Sequence, residues 1–340
     1  MGGEETIDAP VRYPMPLLRS SFEKGGLAAA VDAVGNPDLR RIAQAEAYYF
    51  TARPDEACAA AEPFLQSDDP ALKLSACFIC AYANLSLNRP VAAKKCLSEL
   101  KSMKEGLDAA APEARASYVL FATAAAVLLH LDPSFTEEDL AASMRDLPEG
   151  LALFASYVQA HRAYFHGEHG RCAGIAENAL AMARASYPIP EQFLHLVAAM
   201  GRMSLKDVAR ARRHFEQAWA IAEADDLIEE IGEHHGLLQG VLETCLKESC
   251  PADFARVVKV TYRFSYGWRR IHNPESGEDV ADDLTTTEFS MAMLACRGWS
   301  NDEIARHMGV SRGTVKNRLS SAYAKLGISS RSELARHMLR

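Results

Sequence analysis

Wound as a helix at about 100° per residue, residues 312–326 put Gly313, Lys316, Asn317, Ser320 and Ala324 on one face. That face is small and polar, carries one cation, and holds nothing bulky to block approach. Lysine can donate to guanine acceptors and asparagine can pair with adenine, so Gly313, Lys316, Asn317 and Ser320 are candidates for reading base edges. Arg312, Thr314, Ser321 and Lys325 flank the face and suit phosphate oxygens, contacts that position a protein without specifying sequence. The opposite stripe, Val315, Leu319, Ala322 and Leu326, is apolar and must face a core, against Ile304, Met308 and Phe289. An ordinary solvated helix would show the same polar face, so the reading depends on its surroundings.

Other residue types that could do chemistry have plainer readings. Cys77-Phe78-Ile79-Cys80 has apolar, helical flanks and no second pair, so it reads as core packing. Cys245 and Cys250 lack partners at zinc-like spacing. His161, His166 and His169 cluster around Glu168, but Gly167 and Gly170 suggest an inter-helix turn with exposed histidines. His234-His235 is equally ambiguous. Asp225-Asp226 and Glu229-Glu230 look like solvated helix faces. No Gly-x-Ser-x-Gly elbow is present. The chain is therefore read as having no catalytic residues, no metal site and no cofactor.

The elements that would position the polar face are well marked. Thr285-x-x-Glu288, Ser300-x-x-Glu303 and Ser330-x-x-Glu333 each pair a hydroxyl residue with a glutamate three later, the capping-box spacing at a helix start. Ser311 can cap a fourth helix. The middle two helices are joined only by Gly309-Val310-Ser311, which describes a helix-turn-helix, a shape whose second helix suits a DNA major groove. Charge agrees. The chain is −8 overall, yet residues 284–340 hold nine Lys and Arg against four Asp and Glu, a net +5; the remainder holds 28 against 41, a net −13.

Leu284-Thr285-x-x-Glu288, Gly298-x-Ser300-Asn301-x-Glu303-Ile304-Ala305, Val310-Ser311-x-x-Thr314-Val315-Lys316 and Lys325-Leu326-Gly327-x-x-Ser330-Arg331 together resemble the LuxR/GerE-type DNA-binding domain, over the last 57 residues. The family usually has arginine where Thr287 stands and histidine where Arg318 stands; the second difference bears on target preference. Thr285, Ser300, Asn301 and Arg318 complete the candidate phosphate set. The resemblance implies double-stranded DNA as partner, homodimer formation and contact with RNA polymerase. Leu334, Ala335 and Met338 in the last helix are the candidate dimer contact.

Residues 38–262 are rich in Ala, Leu, Glu and Arg with helical spacing, broken at Arg53-Pro54, Asn88-Arg89-Pro90, Asp132-Pro133 and His166-Gly167. Ala47-Tyr48-Tyr49-Phe50 followed by Pro54 recurs loosely as Ala81-Tyr82 followed by Pro90. This resembles a tetratricopeptide-like array and, more distantly, the helical sensor region of MalT-type regulators. Their ATPase signature, Gly-x4-Gly-Lys-[Ser/Thr], is missing, and no receiver-domain alternation of strands and helices is found. The expectation is an all-α protein: a tail and capping helix over 1–37, repeats over 38–262, a polar linker over 263–283, and the helix-turn-helix domain over 284–340. The concave side of the array would hold a small-molecule or protein effector, with Tyr48, Tyr82, Tyr118, Tyr157 and Tyr164 the first residues to test. No apolar run reaches the roughly 20 residues of a membrane span, no secretory signal is seen, and the eight cysteines read as reduced thiols, so the chain is read as cytoplasmic. A sequence-specific transcription regulator is the reading adopted; a helical-repeat adaptor is the alternative.

Overall fold

Proline opens seven of the α-helices among the described residues. It costs nothing at a first-turn position, where the backbone N–H has no helical partner, and its fixed φ suits the helix. In the computed structural model, which describes residues 11–105, 107, 110–272 and 284–335, every regular element of the described residues is helical. Five hairpins follow one another. They are α2 (Pro37–Phe50) with α3 (Pro54–Ala61), α4 (Pro70–Ser86) with α5 (Pro90–Ser102), and α6 (Pro112–Leu128) with α7 (Glu137–Ser143). Then come α8 (Glu149–Phe165) with α9 (His169–Met182), and α10 (Pro188–Ser204) with α11 (Val208–Asp225). A short helix, α1 (Leu27–Asp32), precedes them.

The hairpins share one feature that sequence comparison showed only faintly. The first helix of each ends in a left-handed residue, at Ala52, Asn88, His130, Gly167 and Lys206. The next N–H then reaches back five residues: Arg53 to Tyr48, Arg89 to Asn84, Leu131 to Ala126, Glu168 to Ala163, Asp207 to Arg202, at 2.7–2.9 Å. This is the Schellman stop, which satisfies the last helical carbonyls. Only one of the five residues is glycine, so four hairpins accept a modest backbone strain to close the same turn.

After the hairpins, α12 (Glu229–His234) and α13 (Val241–Leu246) lead into α14 (Pro251–His272). The expected linker therefore begins later than residue 263. Val257, Val260 and Gly267 keep helical spacing and are buried, α14 packing on both α4 and α12. Gly267 permits the closest approach: a Cβ there would lie 1.9 Å from the Leu85 carbonyl oxygen. Residues 273–283 lie outside the described part.

Residues 11–20 are drawn into the body. The Leu17 and Leu18 N–H groups donate to the buried Glu46 carboxyl at 2.9 and 3.0 Å, and Met15 N–H donates to Ser75 Oγ at 3.0 Å. Asp225 accepts from Gly25 and Leu27 N–H, fastening the start of α1 to the end of α11. Glu229 and Glu230, expected on a solvated face, are fully buried. The reason is that α12 is short and is covered by α14, α10 and α2.

Three helices form the C-terminal unit: α15 (Thr286–Cys296), α16 (Asn301–Met308) and α17 (Arg312–Leu326). Of the expected fourth helix the described residues show a short 3-10 turn, Arg331–Leu334, and Ala335, which is already α-helical; residues 336–340 lie outside the described part. Ser330 makes no backbone cap there; its hydroxyl goes to the Glu333 side chain instead.

Candidate nucleic-acid interface

The turn is built by local chemistry. Thr285 and Ser300 each complete a capping box with Glu288 and Glu303, so α15 and α16 start where their sequences say. Gly309 ends α16 in the left-handed conformation, and Val310 N–H closes on the Ala305 carbonyl at 3.0 Å. Two residues later Ser311 Oγ accepts the Thr314 N–H at 3.0 Å and starts α17. Val315, Leu319, Ala322 and Leu326 are all buried, which fixes the rotation of α17. Arg312, Gly313, Lys316, Asn317, Arg318 and Ser320 are consequently exposed, while Thr314 is half-buried.

The residues beside this face are partly committed to the domain itself. Glu288 is buried under α17 and takes Lys325 Nζ and Ser321 Oγ, both at 2.7 Å. Burial opposes its ionisation, but Lys325, the Thr285 cap and Ser321 together hold its carboxyl down at about 2. Ser321 and Lys325, candidates for phosphate, thus have a fold partner in this state. Thr285 and Ser300 likewise spend their hydroxyls on caps. Asn301 Oδ1 accepts from Arg331 Nη1 at 3.3 Å. Arg331 also donates to the Ala295 and Trp299 carbonyls and so pins the α15–α16 turn.

Two expectations change. Leu334, placed in a contact with a second copy, is fully buried inside the unit against α15, because the 3-10 turn folds back on that helix. Ala335 is exposed, and Met338 lies outside the described residues. Phe289 was expected in the small core; its ring instead abuts Gly236 of the helical body, where a Cβ would meet it at 2.9 Å.

That contact belongs to a joint which sequence reading missed. Ser290 Oγ donates to Glu243 Oε1 at 2.7 Å, and the same carboxyl meets His235 Nε2 at 2.9 Å. Arg297 donates to the Tyr164 hydroxyl at 2.7 Å and to Ser204 Oγ at 3.0 Å. His307 Nε2 lies 3.1 Å from the Gln239 carbonyl, and Lys206 pairs with Glu303 at 3.0 Å. Burial drives His307 toward its neutral form. Thus α15 and α16 sit on the body while α17 points away from it. No single-residue signal announces this; the partners are scattered from residue 164 to residue 307.

Residues 282–338 match the family described as "Bacterial regulatory proteins, luxR family". Those residues are a luxR-family domain. The "Probable transcriptional regulatory protein SgaR" of Hyphomicrobium methylovorum is 41% identical over 54 residues, which is 16% of this chain and 26% of that relative. The match therefore spans about a quarter of the relative's length. No solved structure matches the chain. The luxR-family domain accounts for the helix-turn-helix and its caps; the hairpin body has no counterpart in these comparisons.

The other candidates lie in the body. Tyr82, Tyr118, Tyr157 and Tyr164 are buried, although Tyr118 also borders a cavity beside Val11, Leu74 and Leu107. Large rings at these positions face a neighbouring helix. Tyr48 is half-exposed under the Arg53 guanidinium, 4.5 Å from the ring centre. His161, expected at an exposed turn, is buried between Tyr157 and Tyr164. His234 bonds the Tyr157 hydroxyl at 2.7 Å. Among the described residues no three His, Cys, Asp or Glu side chains are placed to hold a metal ion. Cys77 is buried, and burial pushes its thiol up to about 12. Also among the described residues, no helix is long and apolar enough to cross a membrane.

Proposed function

We propose that this chain is a DNA-binding transcriptional regulator without enzymatic activity. The luxR-family domain binds promoter DNA as a dimer, and the hairpin body, a tetratricopeptide-like array, receives a small-molecule or protein effector. One observation carries the reading: α17 presents Gly313, Lys316, Asn317 and Ser320 to solvent while its other face is locked in a core. A helix held at a fixed rotation, with a small polar face outward, can enter a major groove without a side chain in the way. Arg312, Thr314 and Arg318 flank that face for phosphate, within a unit whose charge is opposite to that of the body. RNA polymerase is the expected partner on the promoter, and the cytoplasm the expected compartment.

The test is selection of bound sequences from a random DNA pool by the full-length protein, followed by affinity measurement on the winning site. Lys316→Ala and Asn317→Ala should each lose about 1–3 kcal/mol on that site and little on unrelated DNA. Recovery of no preferred sequence, at any salt concentration, would favour an adaptor in which the same helices dock a protein.

A further inference from the structure

Three thiols meet in the first part of the helical body. Cys58 stands on α3, Cys80 on α4 and Cys96 on α5. The Cys80 thiol is hydrogen-bonded to both of the others. Helix α4 packs against α3 and against α5, and Ala57, Ala61 and Ala93 are fully buried, small side chains that let the flanking helices come close. Cys58 belongs to one hairpin and Cys80 and Cys96 to the next, so packing between hairpins brings Cys58 to Cys80.

The surroundings of the three differ. Cys80 and Cys96 are buried, whereas Cys58 is half-buried. Contact with Cys80 holds the Cys58 thiol below its ordinary value; the Arg89 guanidinium acts in the same direction, and burial opposes both. Arg89 is exposed and pairs at 3.0 Å with Asp55, one turn before Cys58. Cys96 is also lowered by its contact with Cys80, but it lies inside. Cys80 carries a single S–H and can support one neighbour at a time. The contacts with Cys58 and Cys96 push its own thiol up, and burial adds to that. Cys77, three residues earlier on α4, and Cys172 on α9 are buried thiols that burial pushes up to about 12.

What chemistry suits this arrangement? A bound metal ion does not, because no three His, Cys, Asp or Glu side chains among the described residues are placed to hold one. Packing accounts for Cys77 and Cys172, where a buried sulfur fills space. It does not account for a half-exposed thiol, favoured as thiolate, in contact with a buried protonated one. Those are the parts of a two-step oxidation. We propose that Cys58 and Cys80 form a hydroperoxide-reactive pair that closes into a disulfide. In the first step the Cys58 sulfur attacks the outer peroxide oxygen and the O–O bond breaks. The leaving oxygen takes a proton and departs as the alcohol, and Cys58 is left as the sulfenic acid. In the second step the Cys80 sulfur attacks the Cys58 sulfur, the S–O bond breaks, and the hydroxyl departs with the Cys80 proton as water. Two thiols are thus oxidised by two electrons, and the hydroperoxide is reduced to alcohol and water. Because the sulfurs already touch, the remaining approach to an S–S length of about 2 Å is a matter of side-chain rotation. The link ties α3 to α4 and so fixes the first hairpin to the second. The proposal stands apart from the DNA-binding reading.

The experiment uses the reduced full-length protein without DNA. An equimolar amount of tert-butyl hydroperoxide is added, remaining thiols are blocked with iodoacetamide at successive times, and unreduced digests are read by mass spectrometry. A peptide linked through Cys58 and Cys80 is expected to form before any free thiol is lost at Cys77 or Cys172. In Cys80→Ser the oxidation should stop at the sulfenic acid on Cys58, captured by dimedone, with no linked peptide. Cys58→Ser should slow the oxidation of Cys80 by at least about tenfold, because a buried, protonated thiol is a poor nucleophile. Cys58 is half-buried, so this second variant keeps the test decisive if Cys80→Ser fails to fold. Linkage of Cys80 to Cys96 in place of Cys58, modification of Cys77 and Cys172 as fast as Cys58, or oxidation of Cys80 at the parent rate in Cys58→Ser would overturn the proposal. None of these outcomes touches DNA binding by α17.

Discussion

Arg312 and Lys325 look alike in sequence, both basic and both beside the polar face of α17, but they stand in different surroundings. Arg312 is exposed, with only a surface pairing to Asp302 at 3.6 Å. Exposed pairs of this kind contribute little. Arg312→Ala should therefore weaken all DNA sequences alike and flatten the salt dependence by about one unit, as one phosphate contact does, with the melting temperature unchanged. Lys325 is held by the buried Glu288 carboxyl. Lys325→Ala should destabilise the domain as well as weaken DNA binding; a variant as stable as the parent would remove Glu288 from the account. The pH dependence of the domain follows from the same pair. Glu288 is lowered in the folded state, from 4.5 to about 2. A depressed carboxylate contributes stability that is present above its unfolded value and is lost as pH falls toward the folded one. Domain stability should thus decline between pH 4.5 and about 2, and Glu288→Gln should be less stable at neutral pH and flatter across that window. Melting curves across the acid range decide this.

Among the elements, α17 is held by a small core. Only Val315, Leu319, Ala322 and Leu326 on this helix are buried, and they meet α15 and α16. Leu319→Asp would set an unpaired charge among them at a cost of several kcal/mol, about the stability of so small a unit. The variant should lose DNA binding altogether and show exchange of the α17 amides at the unfolded rate; retained protection would show that the core lies elsewhere. The body hairpins rest on a different principle. Each buries its rings against neighbours and closes with the same left-handed stop, so side-chain identity at the turn matters little as long as the backbone conformation is reached. This explains why the repeat was faint in the sequence: Ala52, Asn88, His130, Gly167 and Lys206 have nothing in common as residues.

At the scale of the molecule, the luxR-family domain is seated on the body through buried polar groups and close contacts. Gly240, with φ +85°, leaves room for Met308, whose sulfur would be 2.6 Å from any Cβ there. Gly240→Val is then doubly unfavourable, through backbone conformation and through overlap. It should separate the two units without unfolding either, splitting one melting transition into two and raising amide exchange in α15. A single transition at the parent temperature would mean that the contact is dispensable. Tyr164 also joins the levels: it meets His161 edge-on in the body and accepts from Arg297 of the domain. Because α17 faces outward in this arrangement, the seating leaves the polar face open.

By itself the sequence determined the helical class, the caps at Thr285, Ser300 and Ser311, the left-handed stop at Gly309, and the rotation of α17. All of these depend on residues within four positions of one another, where hydrogen bonds and helical spacing act locally. The charge division was legible for the same reason, since it needs only counting. Tertiary structure decided what depends on distant partners. It made Glu229 and Glu230 interior, although adjacent glutamates ordinarily lie in water. It drew residues 11–20 into the body, turned four tyrosines inward, continued α14 to His272, and buried Leu334. It also created the joint from Tyr164, Ser204, Gln239 and Glu243 on one side and Ser290, Arg297 and His307 on the other. Burial is a property of what packs around a residue, and no spacing rule along one chain segment carries that information.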